Sequence, residues 1–262
     1  MTSTDLTTPV PNGGLAVADA GGYLALSEDL STVTDLIRDN LDGQRITEFD
    51  LTRLTVPSGK AQRYRWEVPT LGGSEPREEV EGVLVMHKST RAFWPGEYEG
   101  GSSPPSCSSP DNVYGFGKQW ATSEDPDPEG EPRRMLCEEC PNAQFGSDGR
   151  AQACKQMVQL FLLREGSYLP TVITAAPTSL ASVRKYLLNL AEAGLRFYQV
   201  ITAFSLEKKA NADGVEYALI TPRVVGRLDD TAAARVQGYR DMLTPQLQRV
   251  TATAPPSIDT AS

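Results

Sequence analysis

Residues 31–40 place Val33, Leu36 and Ile37 on one face at helical spacing, with Gly43 just beyond as a stop signal. The next apolar runs are short and predict strands at residues 52–56 and 63–68. A longer run at residues 80–94, VEGVLVMHKSTRAFW, is rich in β-branched and aromatic side chains and predicts a long strand. A polar interval follows, and then the pattern returns. Residues 156–164 and 168–175 read as two strands joined by the short turn Glu165-Gly166-Ser167. Residues 179–193 read as an amphipathic helix, with Leu180, Val183, Leu187, Leu190 and Ala191 inward and Gly194 as its stop. Residues 196–208 and 215–227 are again strands around an Asn211-Ala212-Asp213-Gly214 turn, and residues 229–247 predict a last helix.

Counted from Val80, the order is strand, polar insertion, strand, strand, helix, strand, strand. A five-stranded, partly open barrel with one helix between its third and fourth strands has this order, that of the oligonucleotide-binding OB-fold. The expected class is mainly β (α+β), with terminal helices added. The expected organisation is a tail at 1–20, a helix and strand extension at 21–79, an OB-like domain at 80–228 with an insertion at 100–154, a helix at 229–247 and a tail at 248–262. Both tails are built of Thr, Pro, Ala, Ser, Gly and Asp with few large apolar side chains. Such segments bury too little surface to offset the entropy of ordering.

The chain has 262 residues and a formal net charge of -9. Much of the acid is local, in residues 74–81 and in the Pro/Gly-rich stretch 123–131. Residues 141–228 carry ten Lys/Arg against six Asp/Glu. The overall sign argues against a general polyanion binder, while the segment sign leaves room for a basic groove. No apolar run approaches the roughly 18 residues of a membrane span, and the N-terminus has neither the basic nor the apolar region of a secretory signal. The expected location is the cytoplasm.

The four cysteines change the picture most. They are Cys107, Cys137, Cys140 and Cys154, all in Gly/Pro-rich stretches of one region. A disulfide framework does not suit a reducing compartment. A thioredoxin-like CxxC opens a helix after a strand, whereas here Pro141 and a polar, Gly-rich run follow Cys140. Metal ligation fits better: two thiolates two residues apart bind one ion without strain, and the turn residues bring Cys154 back to them. Sulfur donors without histidine favour tetrahedral zinc, with an iron–sulfur cluster as the main alternative. A closed four-sulfur site has no open position, so its role is structural: it pins an insertion with little core of its own.

Three blocks carry a resemblance. The first is Trp94, Gly100-Gly101, Pro104-Pro105-Ser106-Cys107-Ser108-Ser109 and Gly115. The second is Cys137-Glu138-Glu139-Cys140-Pro141, Phe145-Gly146-Ser147 and Cys154-Lys155. The third is Leu169-Pro170, Pro177-Thr178-Ser179-Leu180, Tyr186 and Leu190. Over residues 80–228 the chain resembles a family of proteins encoded by phages and integrating mobile elements. The resemblance implies a zinc-pinned, OB-like domain of a replication or recombination module, similar to phage single-stranded DNA-binding proteins, and a host-cytoplasmic location.

A sequence-tolerant single-strand binder needs a cationic track and aromatic faces for stacking. Trp94, Tyr98, Tyr114, Phe116 and Trp120 are the aromatic candidates, near Lys88, Arg91 and Lys118. Tyr114-Gly115-Phe116-Gly117-Lys118 reads as a polar loop whose glycines admit a phosphate. Lys208 and Lys209 beside the 211–214 turn are further phosphate candidates. The competing reading packs the aromatics over the metal knuckle and leaves the lysines as ordinary surface charge. Arg133 and Arg134 then cover the acidic stretch, and Arg184 and Lys185 form a solvated helix face. The single histidine, His87, reads as a strand residue, and no nucleophile elbow, P-loop or HExxH motif is present. The expected function is non-catalytic single-stranded DNA binding, with replication or recombination proteins as further partners. A zinc-stabilised protein–protein adaptor is the alternative. An iron–sulfur nuclease ranks third, since Glu207-Lys208-Lys209 and Asp213 are its only echo.

Overall fold

The computed structural model describes residues 16–17, 22–27, 30–44, 46–57, 64–95, 105–117, 134–211 and 214–248. Most of both expected tails therefore lies outside the described residues. The helices are α1 (Leu24–Ser27), α2 (Leu30–Asn40), α3 (Leu180–Glu192) and α4 (Asp230–Gln248). The strands are β1 (Arg53–Leu54), β2 (Trp66–Thr70), β3 (Gly73–Arg77), β4 (Glu79–Phe93), β5 (Cys107–Ser109), β6 (Tyr114–Gly117), β7 (Arg134–Leu136), β8 (Lys155–Leu163), β9 (Thr171–Ala175), β10 (Val200–Ala210) and β11 (Glu216–Arg227). The expected helices are present. The strand expected from residue 196 begins only at Val200, because Phe197–Gln199 form a single 3-10 turn capped by Arg196 and Gln199. The strand expected from residue 168 begins at Thr171, after Pro170.

The chain is mainly β, and its large sheet is open. β4 organises it. Residues 83–92 of β4 pair antiparallel with β8 along one edge. On the other edge its first five residues pair with β10 and its last three with β5. The strand carries a bulge between Leu84 and Met86. Gly82 permits close approach there, since a Cβ would lie 2.4 Å from the Leu163 carbonyl oxygen. β8 continues to β9, and β10 continues to β11. β9 and β11 are not paired with each other among the described residues. The outer edge of β9 takes the two-residue parallel strand β1. Near β11, the Ile220 N–H donates to Ser179 Oγ at 3.0 Å and the Arg227 N–H to the Ala16 carbonyl at 3.0 Å.

Both faces of the sheet are buried. One core gathers Val80, Leu84, Leu160, Leu162, Ile173, Phe204 and Ile220 against Val183, Tyr186 and Leu190 of α3. Trp66 from the β2–β3 hairpin joins it, fully buried, and its indole N–H donates to the Phe204 carbonyl at 2.8 Å. The other core packs Val83, Val85, Met86, Phe161, Leu163 and Val172 under Leu26, Val33, Val236, Tyr239, Leu243 and Leu247. The helix and strand extension at 21–79 thus supplies side chains to both cores. Arg240 ties α4 to the sheet: its Nε donates to the Val85 carbonyl at 2.6 Å, and its guanidinium lies 4.2 Å from the Tyr198 ring centroid. His87 stands edge-on to Phe197, as a strand residue. Desolvation and then Arg240 lower its pKa, favouring the neutral ring.

Trp66→Ala removes the largest side chain of the α3 core and is expected to cost about 3–5 kcal/mol. Urea unfolding monitored by circular dichroism measures it.

Candidate metal centre and nucleic-acid interface

The far end of β4 leads into a small antiparallel arm. Phe93 is registered with Cys107, Cys107 with Gly117, and Tyr114 with Leu136. This register sets the cysteines. Cys107 opens β5, Cys137 follows β7 directly, Cys140 precedes the one-turn helix Pro141–Ala143, and Cys154 precedes β8. All four are buried and none forms a disulfide. They line one small cavity together with Arg91, Ser109, Gly115, Met135 and Ala143.

Local hydrogen bonds shape the knuckle. The Cys154 N–H donates to the Asn142 carbonyl at 2.7 Å and the Ala143 N–H to the Cys140 carbonyl at 3.0 Å. Gly146 takes φ 93°, which a side chain rarely tolerates. Ser147 Oγ donates within the turn and accepts the Ala153 N–H at 2.9 Å. The Phe145-Gly146-Ser147 block is therefore turn chemistry, and the Phe145 ring itself is 81% exposed. Beyond the cysteines the arm has little interior: Cys140, Ala143 and Cys154, with Phe93 and Met135 packed against them.

The glycines beside the site have a different task from the one expected. Residues 114–117 are strand β6, not a loop. A Cβ on Gly115 would stand 2.9 Å from Cys107 Sγ and 3.8 Å from Cys137 Sγ, and one on Gly117 would stand 2.2 Å from the Ser106 carbonyl oxygen. They make room for the thiols and for β5, not for a phosphate.

Four sulfurs around one cavity, with no carboxylate or imidazole among its lining side chains, are the donor set of a tetrahedral zinc or iron–sulfur centre. No set of three or more ligating side chains among the described residues already has the arrangement of a metal centre. Burial pushes the Cys154 thiol up to about 11; Arg91 pulls it down, and the other three cysteines push it further up. A metal ion displaces the thiol protons.

The nucleic-acid candidates are dispersed. Tyr114 and Phe116 alternate with Gly115, so they lie on the face of β6 away from the thiols, half-buried. Trp94 follows β4 and is also half-buried, while Phe93 packs against the cluster of Cys140, Ala143 and Cys154. Lys118 and Trp120 lie outside the described residues, as do Tyr98, Arg133 and Asp213. Two expected phosphate contacts are corrected. Lys88 is only 17% exposed, ion-paired with the buried Glu48 and set over the Phe161 ring. Arg91 donates from Nε to Asn112 Oδ1 and lines the thiol cavity. Lys208 and Lys209 are exposed but matched, Lys208 with Glu216 at 2.6 Å and Lys209 with Glu207 at 2.9 Å. Such surface pairs exchange partners at little cost. Arg184 and Lys185 are exposed on α3, as the solvated-face reading has it.

Sequence reasoning missed two residues here. Tyr64 lies beneath Lys208, 5.8 Å from ring centroid to ammonium, and nothing in the local pattern signals it. Arg91 was assigned to the wrong partner, although its β4 position opposite Ser109 puts it at the root of the arm.

No protein-family model matches the chain, and neither a curated protein nor a solved structure does. No helix among the described residues is long and apolar enough to cross a membrane.

Metal removal is expected to loosen the arm and spare the sheet, because the two large cores do not include the cysteines. Chelation should raise protease cleavage within residues 105–154 while far-ultraviolet circular dichroism changes little. Gly115→Val is expected to reduce bound zinc to a small fraction of one equivalent per chain, measured by elemental mass spectrometry. Its side chain would occupy the space of Cys107 Sγ.

Proposed function

We propose that this chain is a non-catalytic single-stranded DNA-binding protein, with structural zinc on Cys107, Cys137, Cys140 and Cys154. The observation that carries the reading is the order of pairing β9-β8-β4-β10-β11, with α3 inserted after β9. In this reading β4, β8, β9, β10 and β11 are the five strands of an OB-like barrel left open between the third and fifth. The thiol arm then occupies the loop between the first and second strands, and the 211–214 turn the loop between the fourth and fifth. Those two loops flank the oligonucleotide groove of OB-folds.

The usual contact surface across the second and third strands is covered here, since Phe161, Leu163 and Val172 lie under α1, α2 and α4. The reading therefore assigns base stacking to Tyr114 and Phe116 on the arm, with Trp94 and Trp120 as further candidates. Phosphate contact falls to Lys208 and Lys209 at the hairpin and to Lys118. Stacking tolerates any base, and exchange of Glu216 and Glu207 for phosphates makes binding sensitive to salt. The resemblance of the cysteine and Phe-Gly-Ser blocks to phage and mobile-element proteins supports the same reading. It adds replication or recombination proteins as partners in the host cytoplasm.

A zinc-stabilised adaptor is the second reading. It is favoured by the acidic partners already held by Lys88, Lys208 and Lys209 and by the net charge of -9.

Fluorescence anisotropy with labelled oligo-dT of about 30 nucleotides, roughly twice the largest site of a single OB-fold, separates the two. Tight binding at low salt, weakening steeply at high salt and absent with duplex, is the expected result. Tyr114→Ala and Phe116→Ala should each weaken it roughly 5- to 150-fold, the equivalent of about 1–3 kcal/mol per stacked base. No binding at micromolar zinc-loaded protein in low salt would sink the DNA reading and leave the adaptor in front.

A further inference from the structure

We propose that Arg91 is the cationic partner of the four-thiolate centre, donating an N–H to a ligand sulfur and offsetting part of its charge. The inference rests on the metal reading of the four cysteines and goes beyond it, since it assigns a residue outside the ligand set.

The geometry singles out this arginine. Arg91 sits where β4 is paired on both edges, opposite Ser109 of β5 and Gln156 of β8. Its side chain lines the cavity that the four cysteines line. Its Nε is engaged by Asn112 Oδ1, while its Nη1 is buried and has no hydrogen-bond partner. A buried, orphaned N–H on a charged group is costlier than one on a neutral group. Among the described residues no carboxylate forms an ion pair with it. Asp111, the acid beside Asn112, uses its Oδ1 to accept from the Val113 N–H at 2.8 Å, the Tyr114 N–H at 3.1 Å and Ser109 Oγ at 3.2 Å. Those bonds hold the turn in which Asn112 takes φ 64°, and the turn in turn orients the guanidinium.

The thiolates supply what Arg91 lacks. Four thiolates on a divalent ion leave a net charge of about −2 in a buried cavity, a state that needs N–H donors and countercharge. Of the other side chains lining the cavity, Met135 and Ala143 offer neither, and the Ser109 hydroxyl is given to Asp111 Oδ1 at 3.2 Å. Arg91 offers both, through a planar fork anchored at one end and open at the other.

The test uses the full chain loaded with cobalt(II) or zinc, with folding checked by circular dichroism. Wild type must first show the intense sulfur-to-cobalt absorption of a four-thiolate site; its absence would overturn the metal reading and this proposal with it. Given that spectrum, Arg91→Met is expected to weaken zinc binding about 10- to 100-fold in chelator competition, the usual effect of losing a partner of a metal ligand. It should also move the charge-transfer band to longer wavelength, because a sulfur that loses a hydrogen bond gives up its electrons more readily. Arg91→Lys should recover part of the affinity, and Asn112→Ala, which keeps the charge but frees the fork, should lie between Arg91→Met and wild type. With zinc saturating, Arg91→Met should keep the wild-type affinity for oligo-dT. Unchanged zinc affinity with an unshifted band, or loss of oligo-dT binding with the metal site intact, would overturn the assignment.

Discussion

β4 is hydrogen-bonded along one edge to β8 and along the other to β10 at its start and β5 at its end. Its side chains are consequently divided among three environments. Val80 and Leu84 enter the core closed by α3; Val83, Val85 and Met86 enter the core under the helices; Arg91 and Phe93 reach the thiol arm. The bulge after Leu84 and the close passage of Gly82 against β8 let one strand serve all three. Everything that positions the cysteines hangs on the last three residues of this strand.

The two ends of β4 are stabilised by different physics. At its start, apolar burial suffices: Trp66, Phe204 and Ile220 are fully buried on one face, and Phe161 and Tyr239 on the other. At its end the described residues of the arm bury four cysteines with Ser109, Gly115 and Ala143, and no large apolar side chain. So small a cluster does not hold a meander of three short strands in one geometry. On the proposed metal reading, ligation supplies what the arm lacks, because the free energy of binding a structural zinc, about 10–16 kcal/mol in small domains, is folding free energy. The orphaned Arg91 N–H beside buried sulfurs belongs to the same arrangement.

Charge is handled locally as well. The buried Glu48 holds Lys88, and the lysines of β10 face acids on β10 and β11. A protein with an acidic net charge that binds a polyanion would use such exchangeable surface pairs, not a fixed basic field. Lys88, by contrast, is committed, since removing it would leave a buried carboxylate without a partner.

Periodicity alone determined most of the elements. The runs that became α2, β4, β8, α3, β11 and α4 were legible because each buries a face, and a buried face imposes its period on the sequence. The cysteine spacing and the turn residues around it pointed to one shared site for the same local reason, and the fold brings all four thiols to one cavity. The sequence could not show that α1, α2 and α4 cover the face of β8 and β9, since an amphipathic helix does not say which surface it covers. Nor could it assign Lys88, Arg91 or Gly115. Lys88 owes its state to Glu48, forty residues away and brought close only by packing. Gly115 owes its identity to a sulfur on the neighbouring strand, and Arg91 to a cavity lined from β5, β6, β7 and the segments around Cys140 and Cys154. Those partners are set by register and by burial, and both exist only once the chain has folded.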